Sequence, residues 1–439
     1  MEIVQQQILS NLGIESLKPM QEAAVKAILA DDTVLLVAPT GSGKTMGFML
    51  PALQLLKPNI NAVQCLILVP SRELAMQLDQ VWKKMSTGFK VNVCYGGHST
   101  QIETKNLSTP PAVLIGTPGR ILDHIQRNNF TLNNIHTLIL DEFDKSLEMG
   151  FHEEMEQIII KLNNLKKRVL VSATSNIQIP DFAGVTKPTV LNFNPKKDEL
   201  NESLSIKLVM SDDRDKVYSL FQLLCSVNSE SALIFSNHRD ACERTTEYLN
   251  GKGIHAAFYH GGMEQDDRER ALIQFRNGSV NYLVTTDLAA RGLDIPEMKH
   301  VIHFHLPVQE QEFIHRNGRT ARMHASGTAY IIISKDETLP SYINKNTEVL
   351  KLAKKYNLPD EPQFKTIYIS GGKKNKLNKI DIVGFFSQKG KLGKDDIGLI
   401  EVKDFNSFAA VKTNKVGVLL GNIKEEKMKG KKYKVEVAK

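Results

Sequence analysis

Two successive α/β domains, each a parallel sheet flanked by helices, followed by a small α+β domain: this is the fold that the 439-residue sequence predicts. Three observations carry the prediction. The chain is longer than a single hydrophobic core usually serves. In two separate blocks, short apolar runs alternate with helical stretches, the pattern of crossover units that build a parallel sheet. The last stretch, residues 366–439, follows a different order, in which four strand-like runs enclose two helical stretches. A hydrophobic fraction of 41% is ample for several cores.

The first block, residues 1–195, has apolar runs at Val34 to Val37, Cys65 to Val69, Ala112 to Ile115, Thr137 to Leu140 and Arg168 to Val171. Directly after the first run, Ala38-Pro39-Thr40-Gly41-Ser42-Gly43-Lys44-Thr45 fits the phosphate-loop pattern G-x-x-x-x-G-K-[ST], with Ala38 in place of the first glycine. Small residues at Thr40, Gly41, Ser42 and Gly43 let backbone N–H groups turn toward phosphate, Lys44 adds a cation, and the Thr45 hydroxyl can ligand Mg²⁺. The helix that follows aims its N-terminus at the anion. The run Thr137 to Leu140 ends in Asp141-Glu142-Phe143-Asp144. Carboxylates at the C-terminal edge of a sheet strand stand where open α/β sheets hold ligands. Asp141 is assigned to the metal and Glu142 to the attacking water.

The second block, residues 205–355, repeats the alternation at Ala232 to Phe235, His255 to Tyr259, Tyr282 to Thr285, Val301 to His305 and Thr328 to Ile333. Between the blocks, residues 192–199 lack apolar periodicity and read as a linker and hinge. Phosphoryl transfer needs charge stabilisation on the departing phosphate, which an arginine from a second domain can supply on closure. The cluster Arg291, Arg316, Arg319 and Arg322 reads as an anion-facing group.

These motifs, in this order, resemble the DEAD-box RNA helicases over nearly the whole chain. Lys18-Pro19-Met20-Gln21 resembles the adenine-reading segment, which makes Gln21 the expected base reader. Pro70 to Ala75 with Arg72, Gly96-Gly97, and Thr117-Pro118-Gly119-Arg120 match segments that grip one RNA strand in the family. DEFD stands where DEAD is usual, and Ser172-Ala173-Thr174 matches the element that, with Asp144, couples ATP hydrolysis to strand separation. In the second half the resemblance covers Leu233 to Asn237, Gln265 with Arg268, Thr285-Thr286-Asp287, Ala290 to Asp294 and His315 to Arg322. It implies two RecA-like domains, ATP and Mg²⁺ as cofactors, RNA contacts from Gln265, Arg268 and Thr285, nucleotide contact from Asp287, phosphate and RNA sensing by Asp287 and Asp294, and finger roles for Arg319 and Arg322. ATP and RNA that each touch both halves would tighten one another. The chain departs from the family in lacking an aromatic residue within its first twenty positions, in Phe143, and in Ala321 where a glycine is usual.

Charge separates the last stretch from the rest. Residues 366–439 carry 17 lysines, no arginine and 8 acidic residues, a net +9, whereas residues 1–365 are near neutral at −2. Lysine-rich surfaces suit phosphate contact, while base-specific forks usually come from arginine. The runs Ile367 to Ile369, Ile397 to Val402, Phe408 to Val411 and Tyr433 to Val437, with helices near 378–387 and 415–421, match a β-α-β-β-α-β domain of the RRM type. Ser370 to Lys376 and Gly393 to Gly398 resemble the C-terminal RNA-binding domain of DbpA-type helicases, which implies binding of ribosomal RNA during assembly of the large ribosomal subunit. Lys373, Lys374 and Lys376 are the expected RNA contacts. Tyr368, Phe405 and Phe408 read equally as core or as base-stacking side chains.

Four cysteines without a C-x-x-C pair suggest free thiols in a reducing cytoplasm. The chain shows neither an export signal nor an apolar run of membrane length. His303 and His305 share a strand face but lack further ligands at metal spacing. The expectation is a monomeric, cytoplasmic, ATP-dependent RNA helicase that parts short duplexes. An ATP-gated RNA clamp, supported by Phe143 and Ala321, and a DNA-directed motor are the alternatives.

Overall fold

The structure is a computed structural model that describes residues 2–39, 41–97, 99–174, 177–194, 204–227, 230–287, 298–320, 327–353 and 355–438. Thr40, Arg291, Asp294, Ala321, Arg322 and the linker residues 195–199 lie outside the described residues. Packing divides the chain into two compact units, the first carrying one sheet and the second carrying two.

The first sheet comprises β1 (Thr33–Val37), β2 (Cys65–Leu68), β3 (Val91–Cys94), β4 (Val113–Gly116), β5 (Thr137–Leu140), β6 (Lys167–Ser172) and β7 (Thr189–Asn192). They run parallel in the order β3-β4-β2-β5-β6-β1-β7. Both faces are covered, which is why the strands read as unbroken apolar runs. Val34 and Leu36 enter one core layer with Phe48 and Trp82, while Leu35 and Val37 enter the opposite layer with Ile121 and Met155.

In the second unit, β8 (Leu204–Ser211), β9 (Ala232–Phe235), β10 (Ala256–Tyr259), β11 (Tyr282–Thr285), β12 (His300–His303), β13 (Gly327–Ser334) and β14 (Glu348–Val349) form a second parallel sheet. Its order is β10-β11-β9-β12-β13-β8-β14. Strands β3, β7, β8 and β14 were not expected from the sequence. Three of them sit at sheet edges, and β7 alternates half-buried with exposed residues, so no apolar run announced it.

The third sheet is antiparallel, with β15 (Phe364–Ile369), β16 (Ile397–Val402), β17 (Ser407–Lys412) and β18 (Val435–Val437) in the order β16-β17-β15-β18. Helices Lys379–Gln388 and Val416–Ile423 cover one face, where Ile367, Ile369, Ala409 and Val411 meet Phe386 and Leu419. The first of these helices is capped by Asn378, whose side chain accepts from the Asp381 N–H. The other face of the sheet lies against the helix Gln265–Arg276 of the same unit.

Candidate nucleotide site and nucleic-acid interface

Strand β1 delivers the phosphate loop and the helix Lys44–Leu55 begins at its lysine. Gly43 has φ +92°, and a Cβ there would stand 2.6 Å from Gln21 Nε2, so the position accepts only glycine. Buried Gln21 ties the upstream segment to the loop: its Nε2 donates to Gly43 O at 2.9 Å and its Oε1 accepts from Lys18 N at 2.9 Å. The expected base reader therefore sits against the phosphate loop. Lys44 Nζ donates to Ala38 O and, at 3.1 Å, to Pro39 O. The Ser42 hydroxyl is buried with no hydrogen-bond partner among the described residues, the kind of orphan that a phosphate oxygen satisfies. Thr45 is half-buried in the first turn of the helix.

Asp141 follows β5, buried, with its N–H bonded to Leu68 O. Burial pushes its carboxyl up to about 7, the neighbouring Glu142 charge adds to the shift, and Lys44 opposes it. A desolvated carboxylate crowded by a like charge is the donor that a divalent cation stabilises, and Asp141 with Thr45 is the pair that would hold Mg²⁺. Glu142 adopts φ +47°, a left-handed conformation uncommon outside glycine and a mark of local strain, and its N–H bonds Asp141 Oδ1 at 3.0 Å. Phe143 is completely buried among Leu140, Leu170 and Met155. It anchors the turn, and the carboxylates on either side remain at the strand end. Asp144 Oδ2 accepts from Thr174 Oγ1 at 3.1 Å, and Thr174 Oγ1 lies 3.0 Å from Ser172 Oγ. The two motifs expected to couple are thus joined by a buried hydrogen-bond chain.

Arg72 opens the helix Arg72–Met85, which is capped by Ser71 Oγ accepting from Leu74 N at 3.2 Å. Gly97 leaves room for the Arg72 guanidinium, since a Cβ would fall 2.8 Å from its Nη1. Thr117 stands at the N-cap position of the helix Pro118–Gln126 without a side-chain capping bond, with Pro118 in the first turn and Gly119 open to space. Arg120 Nη1 donates to Glu103 Oε2 at 2.8 Å and to Thr100 Oγ1 at 3.3 Å. Sequence reasoning missed Glu103 and His124. Both are buried, His124 Nε2 lies 2.9 Å from Glu103 Oε2, and the Asn129 amide donates to His124 Nδ1 at 2.7 Å. Burial alone would raise the Glu103 carboxyl, but His124, the Tyr95 N–H and Arg120 hold it below the usual carboxylate range. His124 stands four residues beyond Arg120 on one helix face, a legible sign; Glu103 comes from another helix and gave none. Cys94, Glu103 and His124 place donor atoms within 4.8 Å of one another, yet burial drives the Cys94 thiol well above its ordinary value and the other two are already hydrogen-bonded.

In the second unit three of the residues singled out from the sequence are engaged within the protein itself. Arg316 does not face an anion from outside: it is buried over the Phe235 ring at 4.9 Å and donates to Asn237 Oδ1 and His305 O. Asp287, expected at the nucleotide, accepts from Arg316 Nε at 2.6 Å and Nη2 at 2.5 Å. Thr285 is fully buried and its hydroxyl donates to Thr286 O at 3.2 Å. Gln265 and Arg268 occupy the first turn of the helix Gln265–Arg276, where Gln265 Nε2 donates to Glu269 Oε1 and Arg268 Nη2 to Gly261 O. Arg319 is buried, and its carbonyl accepts from Met298 N. His303 and His305 turn to different partners, Asn317 and Ser236.

In the third sheet, Lys373 and Lys374 lie in a short 3-10 turn that Lys376 closes, all three exposed. Phe408 is buried and meets Tyr368 edge-on at 5.6 Å, on the face turned toward the helix Gln265–Arg276. Phe405 is 70% exposed and is not core.

Comparison with known proteins finds relatives along nearly the whole chain. The DEAD/DEAH box helicase family matches residues 18–182, the helicase conserved C-terminal domain residues 215–324 and the DbpA RNA binding domain residues 366–437. The ATP-dependent RNA helicase DbpA of Escherichia coli is 32% identical over 444 residues, covering 98% of this chain and 96% of the relative. Its namesake in Bacillus subtilis is 29% identical over 461 residues, with the same coverage. Among solved structures, Mss116p bound to single-stranded RNA and AMP-PNP gives a TM-score of 0.68 at 26% identity, covering 76% of this chain and 73% of that one. Saccharomyces cerevisiae Dbp5 bound to RNA and ADP BeF3 gives 0.65 at 26% identity, with coverages of 75% and 87%. Among the described residues no helix is long and apolar enough to cross a membrane.

Proposed function

The chain belongs to the DEAD-box ATP-dependent RNA helicases of DbpA type, and from that premise we propose that it parts short RNA duplexes in ribosomal RNA during assembly of the large ribosomal subunit. The observation that carries the reading is the hydrogen-bond chain from Asp144 to Thr174 and Ser172. It gives a change at the phosphates a direct mechanical route to the strand-separating element.

In this reading Lys44 and the loop N–H groups hold the ATP phosphates, and Asp141 and Thr45 hold Mg²⁺, which when bound neutralises charge developing on the phosphates. Glu142 orients the attacking water. Arg319 and Arg322 are proposed to stabilise the departing phosphate. Arg72, Gly97, the Thr117 to Arg120 segment, Gln265 and Arg268 hold one strand through its phosphates, and such contacts position the strand without reading its sequence. Lys373, Lys374 and Lys376 bring the enzyme to ribosomal RNA. Tethering raises the effective concentration of a neighbouring duplex without tighter contact to it. Phe143 no longer favours a clamp that fails to unwind, because it is a core residue.

Steady-state ATP hydrolysis measured without nucleic acid, with DNA, with generic RNA and with ribosomal RNA tests the proposal. Deleting residues 366–439 would strip a packed face from the helix Gln265–Arg276, so the comparison uses Lys373, Lys374 and Lys376 changed together to Ala. Stimulation strongest with ribosomal RNA, and lowered in that variant, is expected. Equal stimulation by every RNA would refute the targeting, and no stimulation would refute the RNA-dependent ATPase.

A further inference from the structure

The face on which an RRM-type sheet ordinarily stacks bases is closed in this protein. Thr366 and Tyr368 on β15 and Phe408 on β17 point away from the helices of their own domain. That side meets the helix Gln265–Arg276 and the turn after it. Asn277 Nδ2 donates to Thr366 Oγ1 at 2.8 Å, Thr366 Oγ1 to Ser279 Oγ at 2.8 Å, and Arg276 pairs with Glu401 at 2.7 Å. What remains is a cleft of about 360 Å³ whose walls mix Tyr368 and Phe408 with three carboxylates, Asp266, Glu269 and Glu436, and two cations, Arg270 and Lys434. The helix packed on this face, held by those hydrogen bonds and the Arg276–Glu401 pair, denies bases the open sheet they would stack on. RNA must engage this domain elsewhere.

The exposed aromatic ring of this domain lies at one end of that sheet. Phe405 sits in the tight turn 403–406 between β16 and β17, closed by Lys403 N donating to Asn406 O at 2.9 Å. A second loop is locked to the turn. Lys373 N donates to Lys403 O and Lys374 N to Asp404 O, each at 2.8 Å, and Ser407 Oγ donates to Gly371 O at 2.6 Å. Gly372 packs so closely that a Cβ would stand 2.3 Å from Lys403 O. The ring and the lysine turn therefore form one pre-organised surface. Among the described residues, Lys403 of the turn is held by Glu269 and Glu401, whereas the lysines of the second loop are not so held. Lys389, Lys412, Lys429, Lys432 and Lys434 each pair with a carboxylate of their own domain, whereas among the described residues no ion pair engages Lys373, Lys374 or Lys376.

We propose that Phe405 is the stacking platform for an unpaired base of structured RNA, with Lys373, Lys374 and Lys376 holding the phosphates around it. The inference rests on the reading that this domain binds RNA, and it moves the contact from the sheet face to a loop edge. A ring and adjacent cations are the two components of sequence-tolerant recognition of unpaired nucleotides, and stacking one base on an aromatic side chain is worth roughly tenfold or more in affinity.

The test uses the full chain, a transcript of large-subunit ribosomal RNA, and a blunt RNA duplex without unpaired bases. Phe405→Ala should bind the transcript about tenfold more weakly while its affinity for the duplex holds, and its circular dichroism should match the parent because the ring is exposed. Phe405→Trp should restore affinity, and its fluorescence should be quenched when the transcript binds, against the steady signal of buried Trp82. If Phe405→Ala binds like the parent and Phe405→Trp is not quenched, while the triple lysine variant loses affinity, the stacking assignment is wrong and RNA binding by the domain stands. If the lysine and phenylalanine variants both bind like the parent, both readings fall.

Discussion

The first and second sheets correspond strand for strand, β3-β4-β2-β5-β6-β1-β7 against β10-β11-β9-β12-β13-β8-β14, so that β1 answers to β8 and β5 to β12. Each of β1 and β8 is followed by a lysine at the start of a helix, Lys44 in one and Lys216 in the other. Lys44 is half-buried and bonded to loop carbonyls. Lys216 is 2% exposed, donates to both oxygens of Glu337 at 2.8 and 2.9 Å, and lies over the Phe304 ring. The second position is filled by the protein's own carboxylate. At the end of β5 stand Asp141 and Glu142, while after β12 come Phe304 and His305. One architecture, built twice, holds one anion site and one neutralised copy, because chemistry resides in the grafted residues rather than in the topology.

The sharpest break in that comparison is expected from the two lysines. Lys44→Ala should lower ATP turnover by two orders of magnitude or more, as loss of a preorganised cation at the phosphates does. Lys216→Met should leave turnover in place and lower stability in urea by about 2 kcal/mol, since it leaves half-exposed Glu337 without its partner. Turnover lost equally in both variants would sink the distinction. Next in size is Glu142→Gln, which should bind ATP and RNA but hydrolyse about a hundredfold more slowly in a single-turnover assay. Thr174→Val removes the bond to Asp144, and strand release should fall about tenfold while ATP hydrolysis changes little, in line with one charge-assisted hydrogen bond.

The smallest effect is opposite pH dependence in the two units. Asp141 has its pKa raised from 3.8 to about 7, so the stability it contributes is full below 3.8 and lost as pH rises through 7. Burial lowers His303 to about 3 and His305 to about 4 from 6.5, so their contribution is present above 6.5 and lost as pH falls toward those values. Calorimetry without nucleotide should show the first unit's transition dropping a few degrees as pH rises from about 4 to 7, and the second unit's dropping as pH falls from 6.5 to 4, each by on the order of a few kcal/mol at most. Asp141→Asn should abolish the first trend.

Much of this was legible in the chain. Strands buried on both faces announce themselves as apolar runs, and the phosphate loop and DEFD carry their spacing locally. The edge strands β3, β7 and β14 escaped because an edge strand lacks a neighbour on one side and needs no unbroken apolar run. The pairing of Arg316 with Asp287 escaped for another reason: twenty-nine residues apart, they meet only through the sheet.

Local spacing determined the candidate nucleotide-site residues, because a loop or strand end places neighbouring residues regardless of the rest of the chain. Composition likewise marked residues 366–439 as the basic part. Tertiary structure alone decided which charges were already paired: Asp287 by Arg316, Lys216 by Glu337, Arg120 by Glu103. It also decided that Phe408 is buried and Phe405 exposed, although only two residues separate them. Burial and pairing are set by which distant elements pack together, and a linear sequence does not record those distances.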